Sequence, residues 1–573
     1  MKHLYKLLFF GAIMFSTLLS GQSVADFTSV EPLPQSTDFV IPSTHEFQYI
    51  IQHADPLTAG GNMPDYTDFT AYVPISGSST NGYLSINSEM FPGGVTVLDI
   101  NLDGVNRQWN VTASEKVDLT AVVRTAYNCS GAVTSWGTVI SCEEVVGSDG
   151  DNDGYRDFGW NLEIDPVTKT AIRKLWAMGN FAHENVAIHP NNRTVYQGAD
   201  SDPGYIFKFV ADAAEDLSSG KLYVFKGSKS GSGDWILLNN TTQAERNSTL
   251  TQCANVGATV FKGVEDIEIG PDGKIYAAVK DECVVYRFDD SDPLTGTTVS
   301  NFETFVGGMS YSIDYGGGIV PEPWGCGNDN LAFDGDGNLW VLQDGDKNYI
   351  WVVKNGHTQA APKVELFGIS PLGSEPTGIT FTPDYKYLFM SIMHPNSTNN
   401  STYQDDAFGT LVGFDKDISI VIARSENFGP CNLTVDAGDD QTVFFGYPPA
   451  ECAILAATPT GGTPPYTYLW STGETTESIN VCPSEGSNSY TVTVTDQNGC
   501  SDTDDVNVCV VDVRCGNKLD KVLICHVSPD NPALRKSKCI SPDAVPDHLA
   551  HGDYLGPCEQ LIPCSENGNK ENK

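Results

Sequence analysis

One hairpin pattern recurs four times in this chain, and each copy opens on acidic or amide side chains. The copies are His183-Glu184-Asn185-Val186-Ala187-Ile188-His189-Pro190, Val264-Glu265-Asp266-Ile267-Glu268-Ile269-Gly270-Pro271, Asn328-Asp329-Asn330-Leu331-Ala332-Phe333-Asp334-Gly335 and Thr377-Gly378-Ile379-Thr380-Phe381-Thr382-Pro383. Each turns and climbs into an aromatic-bearing strand: Thr194-Val195-Tyr196, Lys274-Ile275-Tyr276, Asn338-Leu339-Trp340 and Tyr387-Leu388-Phe389. Aligned on their apolar positions, Glu184, Glu265 and Asp329 share one column. The fourth copy has Thr377 there, with Glu375 two residues earlier on the same strand face. A repeated hairpin with a carboxylate at one fixed place predicts a ring of negative charge about an axis. Carboxylates gathered that way stay ionised only beside cations.

The copies start 81, 64 and 48 residues apart (184 to 265, 265 to 329, 329 to 377). That is too loose for a solenoid and suits a β-propeller with long insertions, at about 40–70 residues per blade. Two upstream stretches fit the same theme, Tyr83-Leu84-Ser85-Ile86-Asn87-Ser88-Glu89 and Trp136-Gly137-Thr138-Val139-Ile140-Ser141-Cys142-Glu143-Glu144. They bring the count to about six blades, enough to close a ring. A β-sandwich is the main rival, and it leaves the shared column unexplained. With 55 glycines, 32 prolines and no long amphipathic stretch, the chain reads as turn-rich and all-β.

The start has the form of an export signal. Lys2, His3 and Lys6 precede an apolar run from Leu7 to Leu19, and Ser23-Val24-Ala25 offers a cleavage site, so residues 1–25 are expected to be a Sec-type signal peptide. No later stretch is long and apolar enough to span a membrane, and no Cys follows the run to carry a lipid anchor. The expected location is secreted, periplasmic or cell-surface in a bacterium. The formal net charge of −40 argues against nucleic acid as a partner and suits a calcium-binding exported protein. A solvated acidic surface is the plainer account of much of that charge. Fifteen cysteines in an exported chain leave at least one thiol over.

Residues 26–430 read as the propeller. Residues 432–511 change character: Gly461-Gly462-Thr463-Pro464-Pro465-Tyr466-Thr467-Tyr468-Leu469-Trp470 leads to Ser489-Tyr490-Thr491-Val492-Thr493-Val494-Thr495-Asp496. Alternating β-branched residues with one Trp predict a small immunoglobulin-like β-sandwich. The segment resembles the PKD-like or SprB-type repeats of bacterial surface proteins, which imply spacing or display. Residues 512–564 form a Cys-rich terminal module with Cys515, Cys525, Cys539, Cys558 and Cys564, and with His548-Leu549-Ala550-His551-Gly552-Asp553. Cys525-His526 and two His three apart would suit zinc. A disulfide-stapled knot is the plainer reading, since the usual Cys-x-x-Cys spacing is absent. Residues 565–573 read as a disordered polar tail.

Candidate ligands fall into three groups. In Cys142-Glu143-Glu144, a thiol beside two acids makes a poor nucleophile, because negative charge raises its pKa. A metal ion would deprotonate the thiol and neutralise the acids; the alternative is a disulfide from Cys142 to Cys129. In Asp149-Gly150-Asp151-Asn152-Asp153-Gly154, acids alternate and Gly stands sixth, as in the first half of an EF-hand loop, but Trp160 holds the twelfth place. A calcium loop without flanking helices, using Asp149, Asp151 and Asp153, is expected there; an acidic hairpin tip is the plainer reading. The third group is the column itself: Glu184, Glu265, Asp329 and Glu375, with Glu89, Asp266 and Asn330 beside it. Oxygen ligands suit calcium or ferric iron, and one thiolate adds preference for a transition metal. His183, His189 and His394 are left out of the core site.

These motifs resemble the PhoX-type alkaline phosphatases. The matching stretches are Trp136-Gly137-Thr138 to Glu144, His183-Glu184, Tyr196-Gln197-Gly198-Ala199-Asp200 with Tyr205-Ile206-Phe207-Lys208-Phe209, Val264-Glu265-Asp266, Asp329-Asn330-Leu331, and Glu375-Pro376-Thr377-Gly378 with His394-Pro395. The resemblance implies a propeller with iron and calcium in its channel. By motif it carries Cys142 over as the iron ligand, and Glu143, Glu144, Glu184, Glu265 and Glu375 as iron or calcium ligands. Two departures stand out: Gly263-Val264-Glu265-Asp266 replaces an Arg-Pro-Glu-Trp stretch, and Ala199-Asp200 replaces an acidic pair. The expected function is a secreted metal-dependent phosphatase that hydrolyses small phosphate monoesters, working as a monomer, with cell-surface or glycan contacts through its C-terminal modules. The alternatives are a non-catalytic calcium-stabilised propeller for adhesion or ligand binding, and a calcium propeller acting on lactones or other esters.

Overall fold

The structure is a computed structural model that describes residues 23–345, 347–497 and 499–558. The expected apolar export run and the C-terminal tail lie outside these residues. The chain divides into two units, meeting at Gly429 and Pro430. Their regular structure is almost wholly β-strand. The longest helix described, Thr249–Val256, has 8 residues.

The first unit holds four four-stranded sheets and one of nine strands, all antiparallel. Six strands matter for the site: β1 Thr67–Pro74, β2 Asn128–Val133, β3 His183–Ile188, β4 Val264–Ile269, β5 Asn328–Phe333 and β6 Glu375–Phe381. Each packs against the next in sequence, and β6 packs back against β1. The nine-stranded sheet has β3 and β4 as its two edges, so its edges meet and it nearly closes on itself. The sheet that carries β6 is completed by the early strand His45–Gln52, paired with Ile418–Arg424. Joining the two ends of the unit in one sheet closes the architecture and hides edges that would otherwise invite pairing with other chains. The result is propeller-like.

Sheet faces pack on one another through apolar layers. Ile140, Cys142, Phe181, Val186 and Phe207 fill one such layer, and Trp340, Leu342, Ile350, Phe367, Leu388 and Ile420 another. Burying each such side chain contributes about 1.5–3 kcal/mol before the cost of ordering the chain. Closure also demands one tight approach. A Cβ on Gly378 would lie 2.3 Å from the Thr70 nitrogen, and its φ of +54° is in the left-handed region, so glycine is required where β6 meets β1.

The structure corrects the upstream part of the repeat. Tyr83–Glu89 and Trp136–Glu144 supply the second strands of their sheets, Asn81–Ser88 and Val139–Glu143. The strands equivalent to the four copies are β1 and β2, which precede them.

The second unit, from Pro430, contains a four-stranded sheet (Gln441–Phe445, Ser501–Asp512, Ser487–Thr495, Thr467–Trp470) and two two-stranded sheets around a core of Val443, Leu455, Trp470, Val492 and Val506. Disulfides Cys431–Cys500 and Cys452–Cys482 close it. Beyond it the hairpin Lys521–Ser528 and Asn531–Ile540 is tied by Cys515–Cys539 and Cys525–Cys558, and Val522, Ile524 and Val545 share a core with Tyr447 and Val511.

Candidate metal centre

All six strands β1–β6 carry a register shift near their start. It falls between Thr67 and Thr70, Asn128 and Gly131, His183 and Val186, Val264 and Ile267, Asn328 and Leu331, and Thr377 and Thr380. A bulge leaves a residue unpaired and re-aims its side chain. In five strands the second residue begins the bulge: Asp68, Cys129, Glu184, Glu265 and Asp329. All five line one pocket of about 310 Å³, together with Glu375 of β6. Thr377 completes the tier, its hydroxyl donating to Asp68 with its oxygen 3.1 Å from Asn330 Oδ1.

A second tier follows an equally simple rule. The residue directly after the strand paired with each of β1–β6 is Glu89, Glu144, Asp200, Lys280, Asp344 and His394 in turn. Five of these line the same pocket, and Asp200 meets Glu144 and Glu184 with one oxygen each within 4.8 Å. One residue further along the inner strands, Asn185 donates to Asp266, which accepts from Leu331 N at 2.7 Å, and Asn330 accepts from Gly378 N at 2.6 Å. These bonds cross from strand to strand and hold the ring rigid beneath the acids.

The thiol that enters the pocket is Cys129. Its Sγ lies 2.6 Å from Asp68 Oδ2 and 2.8 Å from Glu184 Oε1, and Glu89 and Glu144 also approach it. Cys142 is elsewhere: fully buried in the apolar layer with Ile140 and Phe181. The reason is position, because Cys142 sits inside its second strand and packs into the layer between sheets, whereas Glu144, just past the end of that strand, reaches the pocket. Cys129 and Cys142 are both free thiols, so the disulfide alternative is overturned. Glu143 is likewise outside the pocket. Lys174 Nζ (2.9 Å), Thr125 Oγ1 (2.8 Å) and Trp160 N (3.1 Å) all donate to it, a satisfied buried ion pair.

The remaining expected ligands are placed as follows. Glu89, Glu144, Glu184, Glu265, Asp329 and Glu375 come together in the pocket. Asp149, Asp151 and Asp157 gather in an exposed loop, with oxygens within 4.8 Å of one another. Asp153 instead caps Tyr155 N at 2.7 Å. His183 is neutral and packed, stacked on Phe181 with its pKa pushed down to about 3 by burial. His394 lines the pocket, with Nε2 3.5 Å from Glu375 Oε1. Sequence reasoning missed Asp68, Cys129, Asp200, Lys280, Asp344 and His394. Aligning the ends of the second strands would have found four of these.

The electrostatics follow from burying so many acids together. Burial first, and neighbouring carboxylates next, push Glu184 far above the usual carboxylate range. Burial and Asp68 raise Glu89 to about 7, and burial and Glu89 raise Glu144 to about 11. The Cys129 thiol is pushed up by burial, Asp68 and Glu184. Against this stands Lys280, whose Nζ is 3.4 Å from Glu265 Oε1 and 3.1 Å from Asp344 Oδ2. One ammonium does not balance the set. The groups either keep protons or give them up to multivalent cations.

Fold and site together define a propeller-like protein with a buried, acid-lined centre whose side chains could hold metal ions. A family described as alkaline phosphatase PhoX matches residues 96–396, more than half of the chain, and the chain belongs to that family. The match starts after Asp68 and Glu89 and includes every other pocket acid named above. Among solved structures, Pseudomonas fluorescens PhoX in complex with vanadate, a transition state analogue, is similar at 20% identity and a TM-score of 0.56, over 70% of this chain and 98% of that one. A catalytically inactive Staphylococcus aureus virginiamycin B lyase (13%, TM-score 0.33, 66% and 99%) and Pseudomonas aeruginosa periplasmic gluconolactonase (11%, TM-score 0.35, 64% and 90%) are too distant to argue from. No curated protein matches the chain. Among the described residues, no helix is long and apolar enough to cross a membrane.

Proposed function

We propose that the chain is a metal-dependent phosphatase that hydrolyses small phosphate monoesters at the pocket of the first unit, which we read as a six-bladed propeller with β1–β6 as its inner strands. The observation that carries this is the meeting of Cys129 with Asp68, Glu89, Glu144, Glu184, Glu265, Asp329 and Glu375 in one pocket. The donor set fits iron and calcium. Asp68, Cys129 and Glu184 offer one sulfur and two oxygens to a transition metal, and Glu144, Glu184 and Asp200 offer oxygens to calcium. Bound there, such ions polarise a phosphoryl oxygen and activate a nucleophile.

The chain's own residues set what enters. An acid-lined pocket repels a phosphate dianion until its acids are neutralised, so ligand binding and substrate binding are ordered. Among the described residues, Lys280 is the one lysine on the pocket wall, and it offers three N–H donors to phosphoryl oxygens. His394 Nε2, on the pocket wall 3.5 Å from Glu375 Oε1, can donate to the same group or to the leaving oxygen. Glu265 and Asp344 keep Lys280 in place and charged. At about 310 Å³ the pocket takes one small phosphorylated molecule.

The Asp149–Asp157 loop is a peripheral calcium loop in this reading, and the first part of the second unit is an immunoglobulin-like spacer of the PKD/SprB type. Export follows from the N-terminal pattern. Val24 and Ala25 are buried, and Val24 N donates to Tyr385 O at 3.1 Å, so we place the cleavage before Ser23 rather than after Ala25. Turnover of an aryl phosphate by the purified protein, with and without a chelator, tests the reading. Loss of turnover on chelation supports it. Calcium-dependent folding without turnover, in protein shown to contain iron, sinks it and leaves the adhesion alternative.

A further inference from the structure

The end of the second unit brings three imidazoles onto one carboxylate. His526 lies on the strand Lys521–Ser528, His548 on the short helix Val545–Ala550, and His551 and Asp553 on the turn that follows. Asp553 Oδ2 is 2.8 Å from His526 Nδ1, 2.7 Å from His548 Nδ1 and 3.3 Å from His551 Nε2. The four ligand atoms all lie within 4.8 Å of one another. The Asp553 side chain is fully buried, whereas the three His side chains are 23–43% exposed.

Hydrogen bonding alone explains this arrangement poorly. A carboxylate oxygen has two lone pairs, and here three ring nitrogens crowd onto one oxygen. The other oxygen, Oδ1, is already used by Val527 N at 2.9 Å and by His526. The three imidazoles come to this one buried acid from two separate segments of the chain. A divalent cation among them satisfies all four groups at once.

The surroundings hold the four groups together. Ile524 and Cys525 pair with Leu555 and Tyr554, which sets the neighbouring His526 beside Asp553. The Cys525–Cys558 disulfide closes the loop that contains all four residues. Because Cys525 and Cys558 are spent in that bond, the donors are three nitrogens and one oxygen, without sulfur. Nitrogen-rich sets reject calcium and suit borderline ions, zinc foremost. Four protein donors leave no open position, which is the pattern of a structural site. We propose that His526, His548, His551 and Asp553 form a zinc-class transition-metal site that staples the end module. It involves no residue of the phosphatase reading and stands or falls apart from it.

The test uses the purified full-length chain, stripped with chelator and titrated with zinc against a chromophoric competitor, and in parallel with cobalt(II). The variants are His551→Ala and the double variant His526→Ala/His548→Ala. His551 is the most exposed of the three, and among the described residues its ring contacts are His526, His548 and Asp553, so its loss is expected to spare the fold. The wild type is expected to bind one more zinc per chain than the double variant and to show visible cobalt absorption of a four-coordinate site. His551→Ala is expected to weaken that zinc at least tenfold, with aryl-phosphate turnover within twofold of wild type. Equal zinc stoichiometry and affinity in wild type and His551→Ala overturns the proposal, even if the double variant does not fold. So does cobalt absorption that survives His551→Ala unchanged.

Discussion

In the first unit, two tiers of six positions, drawn from Asp68 to His394, converge because each sheet repeats the same bulge and the same strand end. In the second, four side chains between His526 and Asp553 converge because one disulfide and one strand pairing hold two short segments together. The first arrangement is global and made almost wholly of acids; the second is local and rich in ring nitrogen. A global ring forms only when the whole unit closes, and its acids repel one another throughout. In the proposed function, cations there would serve folding as well as chemistry. A local cluster can be emptied without disturbing anything outside its loop.

The sharpest break of that comparison lies between two cysteines. Replacing Cys129 with Ser is expected to cut aryl-phosphate turnover at least ~100-fold and to remove iron from the purified protein, because the only thiol on the pocket wall among the described residues is lost. Replacing Cys142 with Ser should leave turnover within about threefold and cost roughly 1–3 kcal/mol of stability, since a hydroxyl is buried among apolar side chains. The opposite ranking, by turnover and elemental analysis, would return the metal-ligand role to Cys142. Next in size is Lys280→Met. It keeps the bulk of the side chain and deletes the charge beside Glu265 and Asp344. If Lys280 grips phosphoryl oxygens, KM for the aryl phosphate rises about tenfold, the worth of one charged hydrogen bond. An unchanged KM would restrict Lys280 to balancing the acids.

The same contrast explains what was legible in the sequence. Glu184, Glu265 and Asp329 stood out because β3, β4 and β5 alternate acidic openings with apolar runs of the kind that periodicity detects. Asp68 and Cys129 did not. β1 reads Thr-Asp-Phe-Thr and β2 reads Asn-Cys-Ser-Gly, small and polar at their openings, so the more apolar second strands after them took their place in the alignment. That slip of one strand carried the thiol assignment from Cys129 to Cys142. The second tier was invisible as a column because each member sits just outside its strand, where no pattern of apolar residues marks it. The His526 cluster was half legible: the His pair and Asp553 were in view, while the Cys525–Cys558 bond that removes sulfur from the donor set depends on the fold.

A smaller effect separates the two regions by pH. Without cations, Glu89 is raised from an ordinary 4.5 to about 7 and Glu144 to about 11, chiefly by burial. The folded chain therefore binds protons that the unfolded chain has already released. Such groups stabilise the fold below pH 4.5, and the contribution is lost as pH rises through the folded values. Cations displace those protons and reverse the trend. The gap in Tm between calcium-loaded and chelated protein is expected to widen steadily from pH 5 to pH 8. A gap that stays constant over that range would mean that the pocket acids are not proton-held in the cation-free state. Following the end module separately, by limited proteolysis of the second unit, gives the contrasting arm. Zinc should protect it in the wild type and not in His551→Ala, while calcium should protect neither. Protection by calcium there would show that the two regions share a cation, and the division between a global anionic ring and a local nitrogen-rich staple would fail.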